Sequence, residues 1–359
     1  MKILLLGGTG AMGAHLSSLL LERGDEVHVT TRKERISDNP RLVYHKGNAH
    51  NEQFLNTILC KHYDAIVDFM VYTTEEFRAK VDRLLTSSSQ YLYMSSCRVF
   101  ANSEVSITEN TPLLLDVSDD QDFLKTDEYA LTKARQERIL QEKKGYTIVR
   151  PYITYSDNRL QLGVWEKDYW LYPIVQGRSL VFSEDILHHK TTLTYGYDVA
   201  KAICIVLGNP LAQEQSYNIT TTEYATWEEI KDIYLQTLDT EFGIRPRVVI
   251  IPKAHQLKTR DVYQVKYDRC FDRVFDNSKI MSLNPDLSFV PLRQGLSDNL
   301  SKCIRNNNFL VLSNRICIDR DKDAHEFMKR AEFSCNRIYL KYLLQRFLPA
   351  VFDPVINRI

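Results

Sequence analysis

The opening stretch Met1-Lys2-Ile3-Leu4-Leu5-Leu6, followed at once by Gly7-Gly8-Thr9-Gly10-Ala11-Met12-Gly13, constrains this chain more than any other. An apolar run without alternation predicts a strand buried on both faces, as in the middle of a parallel sheet. The glycines at 7, 10 and 13 then lie between that strand and an apolar helical pattern of Ala14, Leu16, Leu19 and Leu20. A turn stripped of side chains brings backbone N–H groups and the positive end of a helix up to a pyrophosphate. In this order the elements predict a dinucleotide site built by Gly7, Thr9, Gly10, Ala11, Met12 and Gly13. The alternative is a tight strand-to-helix turn that binds nothing.

The alternation continues. Residues 26–31, 41–48, 64–70 and 90–96 read as strands, and 51–61 and 74–87 read as helices. Short links between alternating strands and helices predict an α/β fold: a Rossmann-type doubly wound parallel sheet with a smaller carboxy-terminal substrate lobe. The expected organisation is a dinucleotide domain over 1–155 with a return segment near 191–220, a discontinuous substrate lobe over 156–310, and a helical extension over 311–359. In the return segment a helix over 198–207 and a strand near 217–220 are expected, and Thr226-Trp227-Glu228-Glu229 opens a further helix with a capping pattern. In the extension, the apolar period from Phe327 to Phe347 predicts a helix over 324–347. Its stripe has to pack on the parent lobe or on a second subunit, which leaves a homodimer open.

Composition excludes several classes. Acidic and basic residues balance at 46 each, so no basic surplus points to nucleic acid. The seven cysteines are scattered, which fits reduced thiols, and His188-His189 lacks ligands at metal spacing, so no metal is expected. No apolar run is long enough to cross a bilayer, and the chain opens directly on a strand; a cytoplasmic protein is expected.

The end of the second strand bears on which dinucleotide fits. An acidic residue there accepts both ribose hydroxyls and repels a 2′-phosphate. Here the residues are Thr31, Arg32 and Lys33, which favours NADP(H) over NAD(H). Asn48, with Ala49 beside it, is placed to meet the adenine edge, and Phe69 and Met70 end a strand that passes beneath the cofactor.

Beyond a polar segment at 102–127, read as a loop over the site, residues 129–140 form a clear helical pattern that Thr126 or Asp127 can cap. Tyr129 and Lys133 stand four apart and project from one face. A tyrosine hydroxyl titrates near ~10, too high for a base at neutral pH. An ammonium one turn away and a cationic nicotinamide lower that value by favouring the phenolate. Such a phenolate accepts a proton from a substrate hydroxyl as hydride leaves the same carbon. Ser96, at the end of the fifth strand, is placed to hold the developing carbonyl.

These residues together resemble the extended short-chain dehydrogenase/reductase superfamily, in its nucleotide-sugar epimerase/dehydratase branch. The resemblance rests on Gly7-Gly8-Thr9-Gly10-Ala11-Met12-Gly13, Ser95-Ser96-Cys97-Arg98-Val99-Phe100, Tyr129-Ala130-Leu131-Thr132-Lys133, Val149-Arg150-Pro151, Tyr195-Gly196-Tyr197-Asp198-Val199-Ala200 and Phe275-Asp276-Asn277-Ser278-Lys279-Ile280. It covers about residues 1–300. It implies Ser96, Tyr129 and Lys133 as catalytic residues, with Tyr152 among the cofactor contacts and a nucleotide sugar as substrate. Departures narrow the reaction. The 4,6-dehydratases of this branch carry Thr-Asp-Glu at the serine position, whereas Cys97 and Arg98 follow Ser96 here, so dehydration is not expected. Ile153 stands where an asparagine is common, and Met70 where alanine or glycine is usual. Cys97 is a candidate proton donor in ring-carbon epimerisation, and Arg98, Arg159 and Arg178 are candidates for gripping substrate or its phosphates. The resemblance implies an epimerase; a ketoreductase of a keto-sugar nucleotide uses the same residues. Some relatives on this fold are non-catalytic dinucleotide sensors or bind RNA, among them plastid stem-loop-binding proteins.

Overall fold

The structure is a computed structural model describing residues 1–254, 262–307, 309 and 314–348. It divides into two compact units, the first made of 1–158, 190–224 and 272–295, the second of 159–189, 225–271 and 296–359.

The first unit is built on a seven-stranded sheet: β1 (Lys2–Leu6), β2 (Glu26–Thr31), β3 (Leu42–Lys46), β4 (Tyr63–Asp68), β5 (Ser88–Met94), β6 (Tyr146–Pro151) and β7 (Gln215–Ile219). They lie in the order β7-β6-β5-β4-β1-β2-β3, and every pairing is parallel. The order reverses beside β1, which pairs β2 on one side and β4 on the other. The crevice at such a switch point, beyond the carboxyl ends of the strands, is where open α/β sheets take ligands.

The apolar run at the amino terminus explains itself in the packing. Ile3 and Leu5 face one layer, with α1 (Gly13–Arg23) and α5 (Gly196–Val206) contributing Leu16, Leu20, Val199 and Ile203. Leu4 and Leu6 face the other, against Leu55 and Ile58 of α2 (Glu52–Leu59), Phe77 and Val81 of α3 (Thr74–Thr86), and Ile139 and Leu140 of α4 (Tyr129–Gln141). Both faces of β1 are covered from Ile3 to Leu6, and only Lys2, at its partly exposed start, is polar. Local signals set the helix ends. Asn51 caps α2, Thr73 and Glu76 form a capping box on α3, and Gly24 closes α1 with a left-handed φ of 98°.

Three expectations change at this level. The cap of α4 is Glu128, whose carboxylate accepts from the Ala130 N–H at 2.6 Å, rather than Thr126 or Asp127. The polar segment before it holds two one-turn helices, Leu114–Val117 and Gln121–Leu124. The long helix expected over 324–347 exists only from Asn336.

In the second unit, Leu180–Ser183 pairs in parallel with Val248–Ile251, and α6 (Trp227–Phe242) starts with a capping box of Thr226 and Glu229. α7 (Asn314–Asp323) and α8 (Asn336–Phe347) are separated by a stretch that holds only a 3-10 turn, Arg330–Glu332, and in which His325 takes a φ of +56°. The break has a tertiary cause. Glu326 accepts from the Ser179 N–H and hydroxyl, and Glu332 pairs with buried Arg178 at 2.6 Å, so both carboxylates are drawn off a helical path. Tyr342 is buried on α8, where its hydroxyl donates to Asp321, while Phe327, Ile338, Leu340 and Phe347 remain exposed. Among the described residues no helix is long and apolar enough to cross a membrane.

Candidate functional site

The glycine turn leaves β1 at Gly7, whose φ of +70° a side chain rarely adopts. At Gly13 the limit is space: a Cβ there would lie 2.6 Å from the Gly8 backbone, so α1 can approach the turn only without one. Gly10 differs again. Nothing lies within 4 Å of the position its Cβ would take, so its backbone faces open space. At the start of α1 the cap position, Met12, makes no side-chain hydrogen bond and the first turn holds no acidic residue, which leaves its N–H groups available to an anion. Open backbone at Gly10, uncapped amides and the positive helix end together fit a dinucleotide pyrophosphate. Ala11 has a packing role as well, since a Cβ on Gly196 would lie 2.8 Å from the Ala11 carbonyl oxygen.

A cleft runs from this turn along the carboxyl edge of the sheet, lined by Gly7, Thr9, Thr31, Arg32, Asn48, Ala49, Phe69, Met70 and Val71 among others. Thr31 exchanges hydrogen bonds with the Lys33 backbone at 3.1 and 3.2 Å, which folds the strand end back and leaves Arg32 in the lining. Lys33 is exposed but is not among the lining residues. The Asn48 side-chain oxygen accepts from the His50 N–H at 3.1 Å, so its amide NH₂ remains for a ligand. Met70 covers the turn: a Cβ on Gly7 would meet its sulfur at 3.0 Å. Tyr152 lines neither this cleft nor the next; it is buried with its ring 5.0 Å from that of Phe275.

Val71 also lines the adjoining cleft, with Tyr72, Thr73, Glu76, Asp127, Tyr129, Thr132 and Lys133. Tyr129 is the first residue of α4 and only half-buried, whereas Lys133, one turn on, is buried. The Lys133 ammonium lies 5.9 Å from the Tyr129 ring centre and 4.5 Å from that of Tyr93, and it donates to the Met94 carbonyl at 2.7 Å. Burial draws its pKa down to about 8, against the opposing pull of Asp68 and Glu137.

Ser96 follows β5 and caps the short turn Cys97–Val99, its oxygen accepting from the Arg98 N–H at 3.2 Å. Its own hydroxyl hydrogen is not used in that bond. The turn aims Arg98 at the helix: its guanidinium lies 5.3 Å from the Tyr129 ring centre and pairs with Glu128. Arg98 is therefore held beside Tyr129 by a carboxylate, rather than left as a free grip for phosphate. Cys97 is likewise corrected: it is fully buried and donates to the Arg150 carbonyl at 3.0 Å, so it does not reach a substrate as a proton donor, and burial keeps its thiol protonated. Arg159 and Arg178 belong to the second unit. Arg159 pairs with Glu166 at 3.1 Å; Arg178 is buried against Asp321 and Glu332 and cannot grip a diphosphate without abandoning them.

The sequence reading missed a polar network under the site. Glu137, one turn beyond Lys133 on the same face, takes both Arg150 Nε and a terminal nitrogen, at 2.9 and 2.6 Å, and accepts from Ser95. Asp68, the last residue of β4, is fully buried and accepts from the Met70 N–H at 2.9 Å and from the Tyr91 and Tyr72 hydroxyls at 2.8 and 3.4 Å. The spacing 129, 133, 137 was visible as one helix face, and a carboxylate ending an apolar strand was visible as an anomaly. Among the described residues no cluster suits a metal ion.

Residues 3–220 match the model of the NAD dependent epimerase/dehydratase family. The chain is similar to the chloroplast stem-loop binding protein of 41 kDa b from Arabidopsis thaliana, 23% identical over 318 residues, covering 83% of this chain and 78% of that protein. It superposes on the dTDP-glucose 4,6-dehydratase of Bacillus anthracis, solved with NAD, at a TM-score of 0.66 and 16% identity, covering 86% of this chain and 97% of the other. The UDP-glucose 4-epimerase of Bifidobacterium longum, solved with NAD⁺ and UDP, also gives a TM-score of 0.66 and 16% identity, with 86% and 100% covered. At these identities the structural likeness is one of fold.

Proposed function

The chain belongs to the NAD dependent epimerase/dehydratase family, and from that premise we propose that it moves hydride reversibly at a ring carbon of a nucleotide-activated sugar. The observation that carries the reading is the pairing of Tyr129 with Lys133 in a cleft that shares Val71 with the cleft of the glycine turn.

Gly7, Thr9, Gly10 and the α1 amides would hold the dinucleotide pyrophosphate, with Asn48 at the adenine and Phe69 and Met70 beneath. When bound, the cofactor supplies a hydride acceptor and, reduced, a hydride donor. The chain's own part is protonic. Tyr129 accepts the hydroxyl proton at its Oη, favoured by the Lys133 ammonium, and returns it in the reverse step. Ser96 donates its hydroxyl hydrogen to the carbonyl oxygen that forms. No carboxylate follows Ser96, so loss of water lacks its acid and base there, and epimerisation or simple keto reduction is the outcome. Arg32 in the lining, with no acidic residue at the end of β2, supports acceptance of a 2′-phosphate and hence NADP(H).

The test is a screen of nucleotide sugars followed by NMR, with the absorbance spectrum of the purified protein recorded first. Retained cofactor and epimerised sugar support the epimerase; exchangeable cofactor and a reduced keto sugar support the reductase. The Arabidopsis relative is named for binding stem-loops, which gives a second reading, an RNA-binding protein with a dinucleotide pocket. Tight, salt-sensitive RNA binding with no sugar turned over would select it.

A further inference from the structure

Lys133 is an ammonium buried beneath the site, and the question is what keeps it charged. The titratable and charged groups around it are Asp68 on β4, Tyr93 on β5, Tyr129 and Glu137 on α4, and Arg150 on β6 behind Glu137. Glu137 is already neutralised, because the Arg150 guanidinium holds both of its oxygens. Asp68 is not. All three groups that bond to it, one amide and two phenols, are uncharged. Burial at zero exposure pushes the Asp68 carboxyl above its usual pKa, while the three donors and the Lys133 ammonium favour its anion against that push. A buried anion without a cation is costly, and so is a buried ammonium. No direct ion pair joins the two, but through space each favours the charged form of the other.

We propose that Asp68 is a positioning residue: the counter-ion that holds Lys133 protonated inside the first unit and, through Lys133, sets the pH at which Tyr129 can accept a proton. The proposal rests on the reading that Tyr129 and Lys133 form the working pair. Asp68 itself touches neither ring nor substrate. Tyr91 and Tyr72 serve it in turn, as donors that spread its charge without neutralising it. Strand register supports the placement: Asp68 pairs with Leu6 of β1, directly before the glycine turn, and with Tyr93 of β5, over whose ring the Lys133 ammonium lies. The carboxylate thus ends the strand from which Phe69, Met70 and Val71 enter the cofactor cleft.

The test reads Lys133 directly. Protein labelled with ¹³C at lysine Cε is titrated by NMR, the Lys133 signal being assigned by its loss in Lys133→Arg. In Asp68→Asn the proton affinity of Lys133 is expected to fall at least about tenfold, and the Tyr129 phenol, followed by its ultraviolet difference spectrum against Tyr129→Phe, should titrate at higher pH. Unchanged titration of Lys133 in a folded Asp68→Asn protein overturns the proposal. Should that variant not fold, the charge is read in wild-type protein labelled at aspartate Cγ, with the Asp68 signal assigned by its displacement in Tyr91→Phe. An ionised Asp68 at pH 7 supports the proposal, and a protonated one overturns it. None of these readouts needs turnover. A protein inactive on every nucleotide sugar would defeat the proposed function while leaving the coupling measurable.

Discussion

Tyr129 and Lys133 sit one helical turn apart yet in different surroundings, the first half-buried and open to a cleft, the second closed off beneath it. That difference decides how each should respond to substitution. Tyr129→Phe removes one hydroxyl at the cleft and no packing, so conversion of the sugar nucleotide should fall by about 10²–10⁴-fold, while the melting temperature stays close to wild type. A folded variant that keeps more than a tenth of the activity removes Tyr129 from the chemistry. Lys133 carries a stability signature instead. Its pKa is about 8 in the folded chain and about 10.4 in the unfolded one. Between those values the unfolded state binds the extra proton, so this residue's contribution to stability rises with pH through that window, by about 3 kcal/mol in all. Denaturant melts at pH 7.5 and pH 10 check it: wild type minus Lys133→Met should grow more positive with pH, and a flat difference would mean the folded lysine keeps an ordinary pKa.

At the scale of elements, the glycines of this chain lack a side chain for two distinct reasons, one found in the phosphate turn and one outside it. At Gly13 the new Cβ meets Gly8 backbone at 2.6 Å, and neither partner can swing away. Gly13→Ala should therefore cost about 1–3 kcal/mol or more and weaken dinucleotide binding, because α1 is pushed off the turn. Gly145 has a φ of +80° but open space around it, so Gly145→Ala should cost only about 1–2 kcal/mol, the strain of the left-handed backbone, and leave binding unchanged. Chemical denaturation with a parallel cofactor titration separates the two; equal losses of binding would show that the turn is not the phosphate cradle. This turn was readable from sequence because its signals are local: an apolar run, glycines at fixed spacing, then a helical period. The same holds for the capping boxes at Thr73–Glu76 and Thr226–Glu229. What escaped was set by partners distant in the chain. Arg178 looked like a free cation until Asp321 and Glu332 arrived beside it. Cys97 looked reactive until the Arg150 carbonyl and complete burial were known. The 324–335 stretch kept an apolar period, yet Glu326 was taken by Ser179. Periodicity describes what a segment can bury, and says nothing of which carboxylate a remote arginine will claim.

Across the molecule, acidic and basic residues are equal in number, and a minority of them are buried in discrete clusters. In the first unit Glu137 and Arg150 pair beneath the site. In the second, Arg178 joins Asp321 at 3.3 Å and Glu332 at 2.6 Å, and Tyr342 donates to Asp321 at 2.7 Å. Clusters of this kind cost desolvation when formed, so they add little net stability, but removing one partner strands the others. Arg178→Met keeps much of the side-chain volume and leaves Glu332, whose side chain is 4% exposed, without its cation. The expected loss is about 3–5 kcal/mol. Since α7, α8 and the break between them converge on this cluster, the loss should register in the amides of 314–348, while those of β1, β4 and β5 keep their protection. Hydrogen exchange read by mass spectrometry distinguishes the cases. Loss confined to the second unit means that its charge cluster, rather than its exposed apolar residues, is what holds α7 and α8 in place. Loss spread evenly through both units would mean that the chain unfolds as one cooperative body and that the cluster has no local role.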